Sequence, residues 1–229
     1  MPSRTLRTLR VAAATAAGAM VLSACTTIHP GQAVVIGDDS LSRASLDDLS
    51  VSYCALNAVI SEQQAAQSGV EAVTTATAGA DARRQAAQAF ITGTVAERTA
   101  TDVGVSVRES EYVLTEEQLG QIADAFDDAD TEGVRDLLED DRRTQLLITA
   151  IGAEELDVEL SAETTEDAQA TGQKAVQEAI KAEDLSIDPR LGLSESDASQ
   201  VGTSGSLSVA QSTLSQVAAV DLPSLQQCL

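Results

Sequence analysis

The stretch that decides the expected fold is residues 81–103, DARRQAAQAFITGTVAERTATDV. Small side chains recur along it every three or four residues, which is the period of an α-helix. They are Ala82, Ala86, Ala89, Gly93, Ala96 and Ala100, with Phe90 beside them. A small-residue stripe lets a second helix approach closely, and charged residues such as Arg83 and Glu97 exclude immersion in a membrane. The stretch therefore predicts a long helix packed among other helices.

Composition supports a helical body and disfavours most enzyme classes. Of 229 residues, 43% are hydrophobic but only 2% are aromatic, so the core must consist of Ala, Val, Leu and Ile. The excess of 36 Asp+Glu over 14 Lys+Arg gives a net charge of −22, which argues against nucleic acid as a partner. One His and three Cys are too few for a multi-ligand zinc site or a Ser-His-Asp mechanism. We expect a protein that is not an enzyme and has no cofactor.

The chain before the central helix predicts a short hairpin and one helix. Residues Ala33 to Ile36 form an apolar β-prone run, and Gly37 to Ser40 supply a turn and a brief return. Ser42 or Ser45 can then cap a helix. Its inward residues are Leu46, Leu49, Tyr53, Leu56 and Ile60. Residues 61–80 have little periodicity, and we expect a poor helix or a connection there.

Further helices are expected after the central one. Thr115 and Gln118 form a capping box, and one helix face should carry Leu119, Ile122, Ala123 and Phe126. The next helix should run from Asp130 or Thr131 to Gly152, a plausible C′ residue. A last helix is expected to be capped by Ser161 and to bury Ala168, Gly172, Ala175, Val176, Ala179 and Ile180. Leu185 to Ile187 alternates like a strand, and residues 188–192 are turn-prone.

The first 25 residues predict export and lipid attachment. Arg4, Arg7 and Arg10 precede an apolar run over residues 11–22, too short to span a membrane, and Leu22-Ser-Ala-Cys25 resembles the lipobox of bacterial lipoproteins. We expect a signal peptide over 1–24, a diacylglyceryl anchor on Cys25, and a tether over 25–32. The mature chain would then carry a charge of −25, from 11 bases and 36 acids. The alternative is an ordinary signal peptide followed by a chance cysteine.

Export changes the expected state of the two remaining cysteines. Cys54 and Cys228 are an even pair in an oxidising compartment, so we expect a disulfide between the first helix and the chain end. The alternative is two free thiols. Residues 193–229 are Ser-rich at their start and would be a C-terminal extension tied back by this bond.

One stretch matches a calcium-binding loop in part. The matching residues are Asp128, Asp130, Glu132, Gly133, Asp136 and Glu139, at positions 1, 3, 5, 6, 9 and 12 of an EF-hand loop. Glu132 at position 5 and Arg135 at position 8 depart from that pattern. The alternative is a short turn in which Asp130 or Thr131 caps the next helix, and we expect no metal site. His29 lies in the tether, which favours a linker residue over a ligand.

Two short motifs, in their order along the chain, carry a family resemblance. His29 to Asp38 and Ile187 to Gly192, with Cys54 and Cys228 in the expected places, resemble the N-terminal SurA-like chaperone domain of exported lipoproteins in high-GC Gram-positive bacteria. The resemblance implies a helical body in which an early strand pairs with a late one. It also implies that the domain holds extended segments of unfolded protein. No stretch between the expected helices or after Gly192 resembles the parvulin prolyl-isomerase domain that many SurA-like proteins carry, so no catalytic residue is carried over.

Together these features predict a mainly helical SurA-like domain over residues 33–192 with a small sheet joining its two ends. The expected function is a lipid-anchored, non-catalytic chaperone-like module on the outer face of the cell membrane that binds unfolded or extended polypeptide. The alternative is a structural or adaptor lipoprotein that binds one folded partner. Candidate peptide anchors are Phe90, Tyr112 and Phe126, although core packing explains the position of each equally well.

The lipid anchor gives the first testable prediction. Replacing Cys25→Ser removes the acceptor thiol, so the protein should leave the membrane fraction when cells are fractionated. A variant that stays in the membrane fraction in the same amount would contradict the lipoprotein interpretation.

Overall fold

The computed structural model of the protein describes residues 30–68, 79–126, 128–194 and 228. The predicted signal peptide, Cys25 and His29 lie outside the described residues, as does most of the Ser-rich extension. Within the described ranges the chain is mainly helical with one small sheet, which confirms the expected fold class. No described helix is long and apolar enough to cross a membrane.

The sheet has three antiparallel strands and joins the two ends of the described chain. Strand β1 covers Gln32–Ile36, β2 covers Asp39–Ser42 and β3 covers Leu185–Ile187, in the order β2-β1-β3. Val34 pairs with Ile187, and the alternate residues Val34 and Ile36 are buried. The positive φ of 54° at Gly37 allows the tight reversal between β1 and β2. The expected pairing of an early with a late strand is confirmed.

Six helices lie within the described ranges. Their bounds are α1 Arg43–Ser68, α2 Gly79–Val103, α3 Glu109–Tyr112, α4 Glu116–Ala125, α5 Asp128–Leu156 and α6 Thr165–Ala182. A single 3-10 turn, Pro189–Leu191, follows β3, and Leu193 beyond it is buried in the core. Of the two alternatives for residues 61–80, a poor helix or a connection, the connection is wrong up to Ser68, because α1 continues without a break to that residue.

Helix α2 lies at the centre of the fold and packs against α1, α5, α6 and the sheet. Four residues of its small-residue stripe are buried against these neighbours: Ala82, Ala86, Ala96 and Ala100. The other two, Ala89 and Gly93, are only half-buried. The stripe is therefore closely packed at both ends of the helix and open in the middle.

Local capping chemistry starts two of the helices as expected. The Ser45 amide donates to Ser42 Oγ at 3.0 Å, so Ser42 caps α1. At α4 the Gln118 amide donates to Thr115 Oγ1 at 3.3 Å, and the Thr115 amide donates to Gln118 Oε1 at 3.0 Å. The capping box is confirmed, but Ala123 is exposed because this short helix packs against α5 along a narrow face centred on Ile122.

Two expected helix starts are wrong. Helix α5 starts at Asp128, before the expected caps at Asp130 or Thr131. Ser161 accepts from the Glu163 and Thr164 amides at 3.3 Å each, but Thr164 is the residue that precedes α6. The Ser161 hydroxyl therefore shapes the connection instead of capping the helix.

Gly152 is not a C′ residue, because it lies inside α5 where α6 crosses it. A Cβ atom at Gly152 would lie 2.6 Å from the Gly172 amide nitrogen, and one at Gly172 would lie 2.8 Å from the Ile148 carbonyl carbon. The two backbones are thus in direct contact at a glycine pair. Helix α5 ends four residues later in a Schellman motif, in which the Val158 amide donates to Ala153 O at 3.0 Å. The C′ residue there is Asp157, with φ 53°.

Two arginines fasten the sheet to the helices. Arg98 on α2 donates to Ile36 O at 2.7 Å and to Asp39 Oδ2 at 2.6 Å, and it pairs with Glu183 at the end of α6 at 3.2 Å. Arg43 at the start of α1 donates at 2.8 Å to Oδ2 of Asp188, the residue directly after β3. Each arginine therefore links an early element to a late one.

The glycine crossing generates a stability prediction. Gly152→Ala should lower the free energy of unfolding by about 3 kcal/mol, because the new methyl group would overlap the backbone of α6. Gly120→Ala is the matched control, since nothing lies within 4 Å of its Cβ position on exposed α4. The control should gain about 0.5–1 kcal/mol from lower backbone entropy in the unfolded chain. Urea unfolding measures both, and similar effects at the two positions would contradict the close crossing.

Candidate functional site

A cleft of about 650 Å³ opens between α1, α2 and α5. Its volume is within the range of about 300–1,000 Å³ that is usual for small-molecule sites. The apolar part of its lining comes from Leu49 on α1, Phe90 on α2 and Leu137 on α5. All three helices thus contribute to one concave surface.

The cleft includes the middle of the small-residue stripe of α2. Ala89 and Gly93 line it, and a Cβ atom at Gly93 would lie 3.3 Å from Thr144 Oγ1 on α5. Larger residues at these two positions would fill the space between the helices. The half-buried middle of the α2 stripe therefore forms one wall of the cleft.

Amides and hydroxyls supply most of the polar lining. They belong to Gln85, Gln88, Thr92, Thr94, Thr144 and Gln145. Gln85 Oε1 accepts from the Asn57 amide at 2.9 Å, and Gln145 Oε1 accepts from the Gln169 amide at 3.3 Å. These contacts orient two of the amides at the edge of the cleft. A glutamine side chain offers the same donors and acceptors as a peptide group.

Some of the charged residues at the cleft have an ion-pair partner among the described residues and others have none. Arg143 forms an ion pair with Glu97 and lies 5.8 Å from the centre of the Tyr112 ring. Within the described part of the chain, neither Asp140 nor Asp141 has an ion-pair partner. Two carboxylates at the rim therefore have no direct ion pair with a described residue.

The pKa values of the same groups reflect this environment. Partial loss of hydration raises the pKa of Asp140 and of Asp141 above the ordinary value, and nearby Arg143 offsets only part of the shift at Asp140. Burial, with the negative charges of Asp141 and Asp140, raises the pKa of Tyr53 to about 12. The Tyr53 phenol is accordingly neutral at physiological pH and can donate a hydrogen bond.

The structure places only one of the three candidate aromatic anchors at the cleft. Phe90 is half-buried, packs against the core and lines the cleft. Tyr112 is half-buried at the end of α3 beneath Arg143, and Phe126 is half-buried directly after α4. The three rings do not form one surface in the cleft.

Sequence reasoning missed the acidic rim. Arg143 is close to Asp140 and Asp141 in the sequence, but it pairs with Glu97 on α2. Tyr53 was assigned to the core face and lies partly in the cleft. Nothing in the local sequence signals either arrangement, because both depend on which helix lies opposite.

The residues that match the EF-hand pattern do not form a calcium-binding loop. The residues of the match belong to α5, and a helix cannot wrap its side chains around one ion as the calcium loop does. Glu139, at the last position, accepts instead from the Leu114 amide at 3.0 Å, and Asp136 pairs with Arg135. Among the described residues no group of three or more potential ligands could hold a metal ion.

A disulfide joins Cys54 on α1 to Cys228, with a Cα–Cα distance of 5.1 Å. Cys54 directly follows Tyr53, one of the two α1 residues that line the cleft. The bond therefore attaches the end of the chain to the helix that forms one side of the cleft.

No protein-family model, curated protein or solved structure matches this chain.

The raised carboxyl pKa values predict how stability depends on pH. Because the fold disfavours the charged forms of Asp140 and Asp141, their ionisation costs stability above the raised pKa. That cost disappears as the pH falls to the ordinary Asp value of about 3.9. Asp140→Asn with Asp141→Asn should therefore stabilise the protein at pH 7 by less than about 1 kcal/mol, given the exposure of both groups.

Urea unfolding at pH 7 and at pH 3 measures this effect. The gain should be present at pH 7 and absent at pH 3, where both carboxyl groups are protonated. A double variant less stable than the wild type at pH 7, or equally stabilised at both values, would contradict the prediction.

Proposed function

We propose that this protein is a lipid-anchored, extracytoplasmic module that holds unfolded or extended polypeptide without catalysis. The observation that carries the proposal is the cleft between α1, α2 and α5, which combines an apolar lining with amides and hydroxyls. Such a surface suits a chain whose backbone and side chains are both exposed.

Extended polypeptide makes two demands that the cleft meets. Its apolar side chains need contacts of the kind that Leu49, Phe90 and Leu137 offer. Its peptide groups need hydrogen bonds, which side chains such as Gln85 and Thr144 provide without selecting a particular sequence. Since strong aromatic anchors are few, binding should be weak and tolerant of sequence, as holding unfolded chains requires.

The leader and the family resemblance support the location and the role. The lipobox ending at Cys25 favours attachment to the outer face of the membrane. The tether over residues 25–32 would keep the domain within about 25–30 Å of the bilayer. The SurA-like motifs at His29 to Asp38 and Ile187 to Gly192 favour a client-holding domain.

One observation favours the alternative of an adaptor for a single folded partner. Leu156, Val158 and Leu160 cluster in sequence at the α5–α6 connection and are 42%, 37% and 51% exposed. Exposed apolar side chains of this size are a common feature of protein docking surfaces.

Filling the cleft tests the proposal. Ala89→Phe should reduce suppression of aggregation of several unrelated unfolded proteins at least about 5-fold, because the ring occupies the space that a client would use. Light scattering during refolding measures the suppression. Ala170→Phe, on the exposed face of α6, is the control with the same change of side chain and should retain wild-type activity.

Circular dichroism verifies that each variant folds. The Leu160→Ser variant tests the alternative function, in which the protein is an adaptor for one folded partner. Full suppression by Ala89→Phe would exclude the cleft as the client site. The adaptor function would be favoured if the wild-type protein bound one folded partner and did not suppress aggregation, and if the Leu160→Ser variant no longer bound that partner.

A further inference from the structure

The charges that line the cleft leave a net negative end. Four charged residues line it: Glu97, Asp140, Asp141 and Arg143. The Arg143–Glu97 ion pair cancels one charge of each sign. Asp140 and Asp141 then give the cleft a local charge of −2 in a chain whose net charge is −22.

The positive charge of Arg143 acts on Asp140 from a distance, but Arg143 forms its ion pair with Glu97 and not with Asp140 or Asp141. Its guanidinium is held by Glu97 on one side and lies over the Tyr112 ring on the other. Moving it to the aspartates would break both contacts and leave Glu97 uncompensated. A direct ion pair with Asp140 or Asp141 is therefore open to a cationic group of a ligand.

The neighbouring lining suits the rest of a cationic side chain. Phe90 and Leu49 present apolar surface in the same cleft, and the neutral Tyr53 phenol lies close enough to Asp140 and Asp141 to feel their charge. Lysine and arginine side chains pack an aliphatic stem on apolar surface while the charged head reaches a polar rim. Nucleic acid or an anionic lipid headgroup would be repelled.

We propose that the cleft selects extended polypeptide segments that carry a lysine or arginine, whose aliphatic stem packs on Phe90 and whose cationic head pairs with Asp140 and Asp141. This inference rests on the proposed function, and it adds the chemical class of client that the same cleft prefers. Charge complementarity is the reason for proposing a cationic ligand, and the volume and the mixed apolar and polar lining are the reason for placing it in the cleft.

Three fluorescent ten-residue peptides test the preference, with alternating Ala and Lys, Ala and Gln, or Ala and Glu. Fluorescence anisotropy with the wild-type protein should give a dissociation constant for the Lys peptide about 3-fold to 10-fold below that for the Gln peptide at low salt. This is the range that one or two partly exposed ion pairs provide. The advantage should shrink at 0.3 M salt, and the Glu peptide should bind most weakly.

Asp140→Asn with Asp141→Asn should bring the dissociation constants of the Lys and Gln peptides to within about 2-fold of each other, because no more than weak polar contacts then distinguish the two side chains. The control, Glu154→Gln with Glu155→Gln, removes two charges from the same helix about 20 Å away and should keep the preference. Amide NMR shifts of the wild-type protein on adding the Lys peptide provide a second readout, and they should centre on Gly93 and Thr144.

The outcomes separate the two proposals. Equal binding of the Lys and Gln peptides to the wild type would overturn the inference and leave the proposed function standing. A Lys preference that survives Asp140→Asn with Asp141→Asn, or NMR shifts away from the cleft, would also overturn the inference. Failure of every peptide to bind would overturn the proposed function itself.

Discussion

The contact on which the rest of the fold depends is the crossing of α5 and α6 at Gly152 and Gly172. Neither position has room for a Cβ atom, so the two helices meet backbone to backbone. This close approach lets α6 lie along α5 and also reach α2, and it sets the direction in which the chain leaves α6. Strand β3 then returns to β1, and the hydrogen bonds of Arg98 and Arg43 fasten the two ends together.

The same small-residue chemistry has the opposite effect on α2. Neighbouring elements pack against both ends of the helix, where Ala82, Ala86, Ala96 and Ala100 are buried. In the middle, Ala89 and Gly93 are half-buried and line the cleft, although a Cβ atom at Gly93 would lie only 3.3 Å from Thr144 Oγ1 on α5. One stripe thus gives close packing or open space according to the helices that lie opposite.

Scarcity of positive charge gives the cleft its character. Only 14 bases face 36 acids, and several arginines are committed to contacts between elements, such as Arg98 to the sheet and Arg143 to Glu97. Each such contact takes a base away from nearby carboxylates. Asp140 and Asp141 are left beside a half-buried tyrosine whose proton they help to retain. The proposed preference for cationic clients rests on this distribution of charge.

The sequence by itself determined those features that depend on neighbours along the chain. Helical periodicity identified α2, the capping box at Thr115 started α4, and the β-prone run beside Gly37 gave the hairpin, because their interactions span only a few residues. Where a local sequence pattern was compatible with two structures, the tertiary structure determined which of the two formed. Gly152 is typical of a helix end but lies at a helix crossing, and the acidic residues from Asp128 resemble a calcium loop but belong to a helix. Arg143 has acidic neighbours in the sequence but binds Glu97 on another helix. A glycine, a carboxylate or a guanidinium has the same local preferences in each case, and only the element packed against it decides which contact forms.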